Sequence, residues 1–422
     1  MHRAIHAARR EVAIVADVQG PKIRIGEIAG GTTHLVAGDL WTLDRTGAPG
    51  NARRVPVSIP GFSTAARKGD PVLLGDGNVG LIVERVSSHE IVTRVTQGGS
   101  VGSHAGLFLP RAHLRTSILG PQDRASLRVS VHEGVDFVAL SFVRNAADID
   151  AGRRFLDRLP GGSDVRIIAK IERAEALENI DGILDRSDGI MVARGDLGIE
   201  VPLERLALEQ KSLVRRANHA GRFVIVATQM LLSMLHASRP SRAEATDVAN
   251  AVLDGADAVM LSEESAVGEY PFDAVQWLAR IAGATEEALV VSGSVETETP
   301  NPASDRSVAS AAVRMAVAND AAAIVTPTHS GRTAGLVASF RPPMPVIALS
   351  AHESTRRRLA LVWGVEARAS PAHQTLLELR RDAGRIAAVL SKGKSRPVVL
   401  TAGYPLDGRP TNLVTLVAPA RR

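Results

Sequence analysis

Short apolar runs recur through the middle of the chain at intervals long enough to hold a helix. They read VDFVALSF (135–142), RIIAKI (166–171), GIMVAR (189–194), FVIVAT (223–228) and DAVMLS (257–262). Runs of this length predict strands, and the mixed segments between them carry helical spacing. One of those helices announces both of its ends. Ser241 and Glu244 form a capping box, Ala245, Val248, Ala249, Val252 and Leu253 fall on one face, and Asp254-Gly255 stops it. Strands that alternate with helices predict parallel βα units. Glu11–Val18 (EVAIVADV) adds a sixth strand ahead of them. A closed (β/α)₈ barrel needs eight, so the pattern predicts an incomplete TIM-type barrel or an open sheet.

Two other regions have a different rhythm. From about Ile25 to Leu109, short alternating runs (VPVSI, PVLLGDGNVGLIVERV, HEIVTRVTQGG) are cut by Gly, Asp and Asn. This predicts a small β-rich unit, with Pro21 and Pro110 as stiff hinges on either side. Asp76, in GDG, reads as a tight-turn residue. After a polar linker, Glu296–Asn301, a third α/β unit begins. It contains a helix at Ser307–Val317, then AAAIVT, PTHSGRTAGLVASF, MPVIALS, a helix through Arg356–Leu361, PVVLTAGYP and LVTLVAP. The predicted units are 1–24 with 111–290 for the barrel (A), 25–110 for the inserted lid (B) and 300–422 for the C-terminal unit (C).

The candidate chemistry sits where the barrel strands stop. Arg166–Ile171 runs into Lys170 and Glu172, and Gly189–Arg194 runs into Gly195 and Asp196. Active sites of parallel barrels lie at the C-terminal ends of strands. Glu172 and Asp196 are hard oxygen ligands suited to Mg²⁺. Lys170 adds a fixed ammonium at the same place. The trio fits chemistry on a phosphorylated or enolate-forming acid.

Composition narrows the partners. The 422 residues are 45% hydrophobic and 23% charged, with 3% aromatic, so the cores rest on aliphatic side chains. No cysteine is present, which excludes disulfide scaffolds and thiolate metal sites. The formal net charge of +5 is scattered, with no aromatic-basic face. Nucleic acid is therefore not the expected partner. No apolar run approaches the ~20 residues of a membrane span, and MHRAIHAARREVAIVADV lacks a signal h-region and cleavage site. A cytoplasmic location is expected. The run RRR (356–358) reads as a solvated helix face, or as the border of an effector anion.

Taken together, ADVQGPKIRIG, GDGNVGLIVERV, VDFVALSFVR, IIAKIE, SDGIMVARGDLGIEVP, VIVATQML, RPSRAEATDVANAVLDGADAVMLSEESAVGEYP, HSGRTA and LTAGYPLDGRPTN resemble the pyruvate kinase family from about residue 10 to the C-terminus. The resemblance implies a barrel, an inserted β-rich lid and a C-terminal α/β regulatory domain. It implies phosphoryl transfer from phosphoenolpyruvate to ADP, giving ATP and pyruvate. The implied metal is Mg²⁺, with Mn²⁺ as a substitute, on Glu172 and Asp196. Lys170 would stabilise the phosphoryl in flight. The turn Ala193, Arg194, Gly195 and Asp196 would meet the substrate, its main-chain N–H groups receiving the carboxylate. Thr228 would lie near the enolate carbon, and Arg24 at the transferred phosphate. Asp17 and Lys22 fall at the monovalent-cation region. Lys at position 22, where potassium-dependent relatives carry Glu, implies that K⁺ is not required. Thr328, Ser330, Gly331, Arg332 and Thr333 match a loop that binds a sugar-phosphate or nucleotide effector. A homotetramer is implied as well.

The chain also departs from the family pattern. Relatives carry about two βα units ahead of ADVQGPKIR, for which the chain leaves no room. That start implies either a late start in the gene model or a degenerate paralogue that binds effector or partners without turnover. In the lid, the usual Lys and Asn of SxKGxNLP are Ala105 and Phe108, and Ser262–Ser265 (SEES) replaces SGET. A metal-dependent carbon–carbon lyase acting through a pyruvate enolate is the competing enzyme class; the lid and the C-terminal unit argue against it.

Overall fold

A computed structural model describes residues 10–59, 66–75, 77–109, 117–292, 305–373, 375–391, 395–403 and 410–420. Asp76, Pro110 and the 296–301 linker fall outside the described residues. The first strand, β1 (Val15–Asp17), is followed by the lid strands β2 (Thr32–Leu35), β3 (Leu40–Asp44), β4 (Arg54–Pro56), β5 (Pro71–Leu74), β6 (Val79–Val86), β7 (Glu90–Gln97), β8 (Gly99–Gly102) and β9 (Leu107–Phe108). The chain then returns to β10 (Phe137–Leu140), β11 (Arg166–Ile171), β12 (Gly189–Ala193), β13 (Phe223–Ala227) and β14 (Ala258–Met260). These five and β1 form one parallel sheet in the order β1-β10-β11-β12-β13-β14. Among the described residues it has the six strands that the apolar runs predicted.

Period-2 alternation divides the sheet into two buried faces. Val138, Leu140, Ile167, Ala169, Ile190, Val192, Val224 and Val226 pack outward under the helices. Phe137, Ala139, Ile168, Met191, Ile225 and Ala227 pack on the inner face. There Phe137 and Phe223 meet edge to face at 5.4 Å. The helix over Arg242–Leu253 begins as its sequence predicts. Ser241 Oγ accepts from Glu244 N, and Glu244 Oε2 accepts from Ser241 N. Gly255, with φ of +94°, ends it.

The lid pairs β4-β3-β7-β6-β5-β9 in one sheet and β2-β8 in another, around a fully buried Trp41. The C-terminal unit has β15 (Ile324–Pro327), β16 (Val346–Ser350), β17 (Val365–Ala369), β18 (Val398–Ala402) and β19 (Leu413–Val417) in the order β17-β16-β15-β18-β19, with only β19 antiparallel. Sequence reading missed β17 and the helix Leu376–Leu390. The helix carries its own signal, a Thr375–Glu378 capping box.

Barrel and C-terminal unit meet along the lower rim of the sheet. An aspartate stands just before each of three strands and accepts the backbone N–H that opens a neighbouring one. Asp136 takes Ile14 N (3.0 Å), Asp188 takes Ile167 N (2.8 Å) and Asp257 takes Val224 N (2.9 Å). Two of these carboxylates also hold the C-terminal unit. Arg357 donates to Asp136 at 3.1 and 3.2 Å, and Arg341 donates to Asp257 at 3.1 Å. The run 356–358 is therefore not a solvated face. Arg356 pairs with Glu11, and Arg358 donates to the Asp164 carbonyl.

Asp136 is 1% exposed, so losing its arginine leaves a buried charge held by one amide. Arg357→Ala is expected to destabilise the protein by about 2–3 kcal/mol, below the full cost of a broken buried pair because the arginine is partly exposed. Arg368→Ala, which removes a solvent-exposed pair with Glu366, should cost under ~0.5 kcal/mol. Guanidinium unfolding midpoints of the two variants test the contrast.

Candidate active site

Strand register brings the polar groups to one level. Asp17 pairs with Ala139, Leu140 with Ala169, and Lys170 with Met191. Asp17 follows Val15 on the inner face, Ser141 follows Ala139, and Lys170 follows Ile168. Alternation that buries apolar residues below thus sets an acid, a hydroxyl and an ammonium in the layer above. Lys170 Nζ lies 3.1 Å from Asp17 Oδ1, 3.0 Å from Glu172 Oε1 and 2.9 Å from Ser141 Oγ. Glu172, 1% exposed, accepts the Phe142 N–H on its other oxygen at 2.7 Å. Asp196 opens the short helix Arg194–Glu200 and pairs with Lys22 Nζ at 2.9 Å.

Burial raises the Glu172 carboxyl above its ordinary range; Lys170 pulls it down, Asp196 pushes it further up, and the net direction is upward. Burial works against the Lys170 charge, but Glu172 and Asp17 outweigh it, so its pKa rises and it stays an ammonium. Lys170 is held as an ammonium by acids on two sides. Glu172 and Asp196 repel each other, although each has a lysine partner, Lys170 at 3.0 Å and Lys22 at 2.9 Å. A divalent cation would offset that repulsion, and two carboxylates with the remaining positions left to other oxygens would suit Mg²⁺. Among the described residues no group of three or more His, Cys, Asp and Glu side chains is gathered for a metal.

The other predicted residues divide. The Lys22 ammonium pairs with Asp196 and stands 5.3 Å from the Phe108 ring of the lid. Arg24 is exposed and donates to the His104 carbonyl, also in the lid. A Cβ on Gly77 of the lid would lie 3.8 Å from Ile199 on the Asp196 helix, so the lid reaches the site. The Arg194 guanidinium is spent on structure. It bonds both Asp247 oxygens at 2.7 and 2.6 Å and the Thr228 carbonyl at 2.8 Å. That leaves the backbone after Ala193 as the part of this turn able to meet a ligand, and Gly195 N already donates to Thr228 Oγ1 (2.9 Å). Thr228 in turn donates to the Ala227 carbonyl.

Thr328, Ser330, Gly331, Arg332 and Thr333 lie together after β15, in the other unit. Gly331, at φ of +90°, donates to Thr328 Oγ1, while Arg332 pairs with Asp305 and Thr333 Oγ1 contacts Thr411. Ser141 and Phe142 were missed as site residues. Their signal was a hydroxyl and an aromatic at the point where an otherwise apolar run ends.

Two family descriptions match the chain: "Pyruvate kinase, barrel domain" over residues 1–275 and "Pyruvate kinase, alpha/beta domain" over residues 306–417. The chain is 41% identical over 404 residues to a pyruvate kinase of Mycobacterium tuberculosis, covering 95% of this chain and 84% of that one. It is 40% identical over 417 residues to a pyruvate kinase of Geobacillus stearothermophilus, covering 96% and 70%. The crystal structure of a pyruvate kinase from Cryptosporidium parvum superposes with a TM-score of 0.89 at 33% identity, covering 99% of this chain and 86% of that one.

Thr228 and Gln229 both have left-handed backbones, at φ of +69° and +55°. This is costly for a β-branched residue and marks a site whose shape is imposed by its surroundings. Gln229 is exposed. Gln229→Gly should therefore raise stability by up to about 1 kcal/mol, read as a higher unfolding midpoint.

Proposed function

The chain belongs to the pyruvate kinase family, and from that premise we propose how its own residues carry the reaction. It is a phosphotransferase that moves the phosphoryl group of phosphoenolpyruvate to ADP, giving ATP and pyruvate, with a divalent metal. The observation that supports the site assignment is Lys170 Nζ at 3.0 Å from Glu172 where the strands end, with Asp196, paired to Lys22, near enough to raise the Glu172 carboxyl.

Glu172 and Asp196 would hold Mg²⁺, or Mn²⁺ in its place. Bound there, the ion neutralises substrate oxygens as the phosphoryl group leaves, which is most of the catalysis in such transfers. Lys170 places a compact ammonium where charge develops on the departing phosphoryl and on the enolate oxygen. The backbone after Ala193, at Arg194, Gly195 and Asp196, orients the substrate carboxylate. Thr228 sits beside the enolate carbon and belongs to its proton path. Arg24 meets the transferred phosphate from the lid side. Lys22, by pairing with Asp196, supplies in-built positive charge there, so K⁺ is not required. The units 1–24 with 111–290, 25–110 and 300–422 act as barrel, lid and regulatory domain. The Thr328–Thr333 loop takes a sugar phosphate or a nucleotide through hydroxyls and backbone amides. The working form is a cytoplasmic homotetramer. Among the described residues no helix is long and apolar enough to cross a membrane.

Lys170→Met should lower kcat by at least about 10³-fold in a coupled assay with phosphoenolpyruvate and ADP, because it deletes charge stabilisation worth ~4 kcal/mol or more. Turnover within tenfold of the parent would remove Lys170 from the chemistry. The parent should turn over fully in Na⁺ buffer. An increase of tenfold or more on replacing Na⁺ with K⁺ would contradict the role given to Lys22.

A further inference from the structure

We infer that Ser141 is the positioning residue that aims Lys170. The inference rests on the roles proposed above for Lys170 and Glu172. An ammonium has three N–H donors, and those of Lys170 meet Asp17, Glu172 and Ser141 at 3.1, 3.0 and 2.9 Å. The three partners are not equally firm. The Asp17 side chain is 46% exposed, and Glu172 is a metal ligand in the proposed mechanism and turns its charge toward the ion. Ser141 is 2% exposed. Its hydroxyl gives its one proton to the Val18 carbonyl at 2.6 Å, so a lone pair is what it presents to Lys170.

The surroundings fix that lone pair in space. A Cβ on Gly20 would fall 2.9 Å from Ser141 Cβ and 3.1 Å from the Phe142 ring, so the chain after β1 is wedged against the dipeptide. The next residue, Phe142, holds a left-handed backbone at φ of +57° while its N–H binds Glu172. Neighbouring residues thus fix the lysine and the acid beside it. Being neutral, the hydroxyl directs the ammonium without cancelling its charge, which an acid in the same place would do. With Glu172 committed to a metal, Ser141 is the rigid support that sets the direction of the remaining N–H groups.

The test compares Ser141→Ala, Ser141→Cys and Lys170→Met with the parent. It measures kcat, KM for phosphoenolpyruvate, Mn²⁺ affinity by electron paramagnetic resonance, and thermal midpoint. Ser141→Ala should lower kcat about tenfold or more, with KM and Mn²⁺ affinity within about twofold. Ser141→Cys keeps the volume with a poor acceptor and should lower kcat at least threefold; it decides the matter should the Ala variant not fold. Parental kcat in either folded serine variant overturns the inference, as does a parallel loss of kcat, Mn²⁺ affinity and thermal midpoint. If Lys170→Met is inactive while both serine variants match the parent, this inference alone fails. If Lys170→Met stays active, the site assignment fails with it.

Discussion

A carboxylate buried to 1% exposure at the mouth of a sheet has to be balanced, and the Glu172–Lys170 pair is how this protein does it. Removing each ion from water costs several kcal/mol. Attraction between unit charges at about 4 Å returns only ~4 kcal/mol at the effective dielectric that fits real proteins. The pair therefore adds little to folding. Its effect is placement: Asp17, Ser141 and the Phe142 amide are arranged around it, and burial, with Asp196 adding to it, holds the Glu172 carboxyl above its ordinary range. A divalent cation bound there, as proposed, would favour the ionised carboxylate.

The lid is joined to the same centre by short contacts. Lys22 touches both Asp196 and the Phe108 ring, Arg24 grips the His104 carbonyl, and Gly77 reaches Ile199. Phe108 gives the Lys22 ammonium an aromatic face. The stretch leaving β1 thus both leads into the lid and supplies charge to Asp196.

Much of this was legible in the sequence, for definable reasons. The six barrel strands are dense apolar runs, and Lys170, Glu172 and Asp196 stand where those runs break, so periodicity alone located them. The capping box at Ser241 fixed a helix start to the residue. What stayed hidden depends on partners distant in the chain. The Arg194 guanidinium has its partners, Asp247 and the Thr228 carbonyl, 53 and 34 positions away. Arg356, Arg357 and Arg358 looked solvated because their partners lie 345, 221 and 194 positions away. Ser141 had only a weak signal, a hydroxyl at the end of an apolar run, while its partners Val18 and Lys170 lie 123 and 29 positions away. The strand Val365–Ala369 carries two charges in five positions and gives a weak pattern.

The aspartates ahead of the strands have one more implication. Asp136 and Asp257 each use one carboxylate to start a barrel strand and to hold an arginine of the C-terminal unit. The seam between the units is therefore fastened to the feet of β1 and β13 as well as to barrel helices, where Arg306 donates to the Asn218 carbonyl and Trp363 Nε1 to Glu286. Displacing one unit along the other loads these two strands at their feet, and their opposite ends carry Asp17 and Thr228. A rigid rod loaded at its foot moves at its tip, and here one tip is where Asp17 meets Lys170.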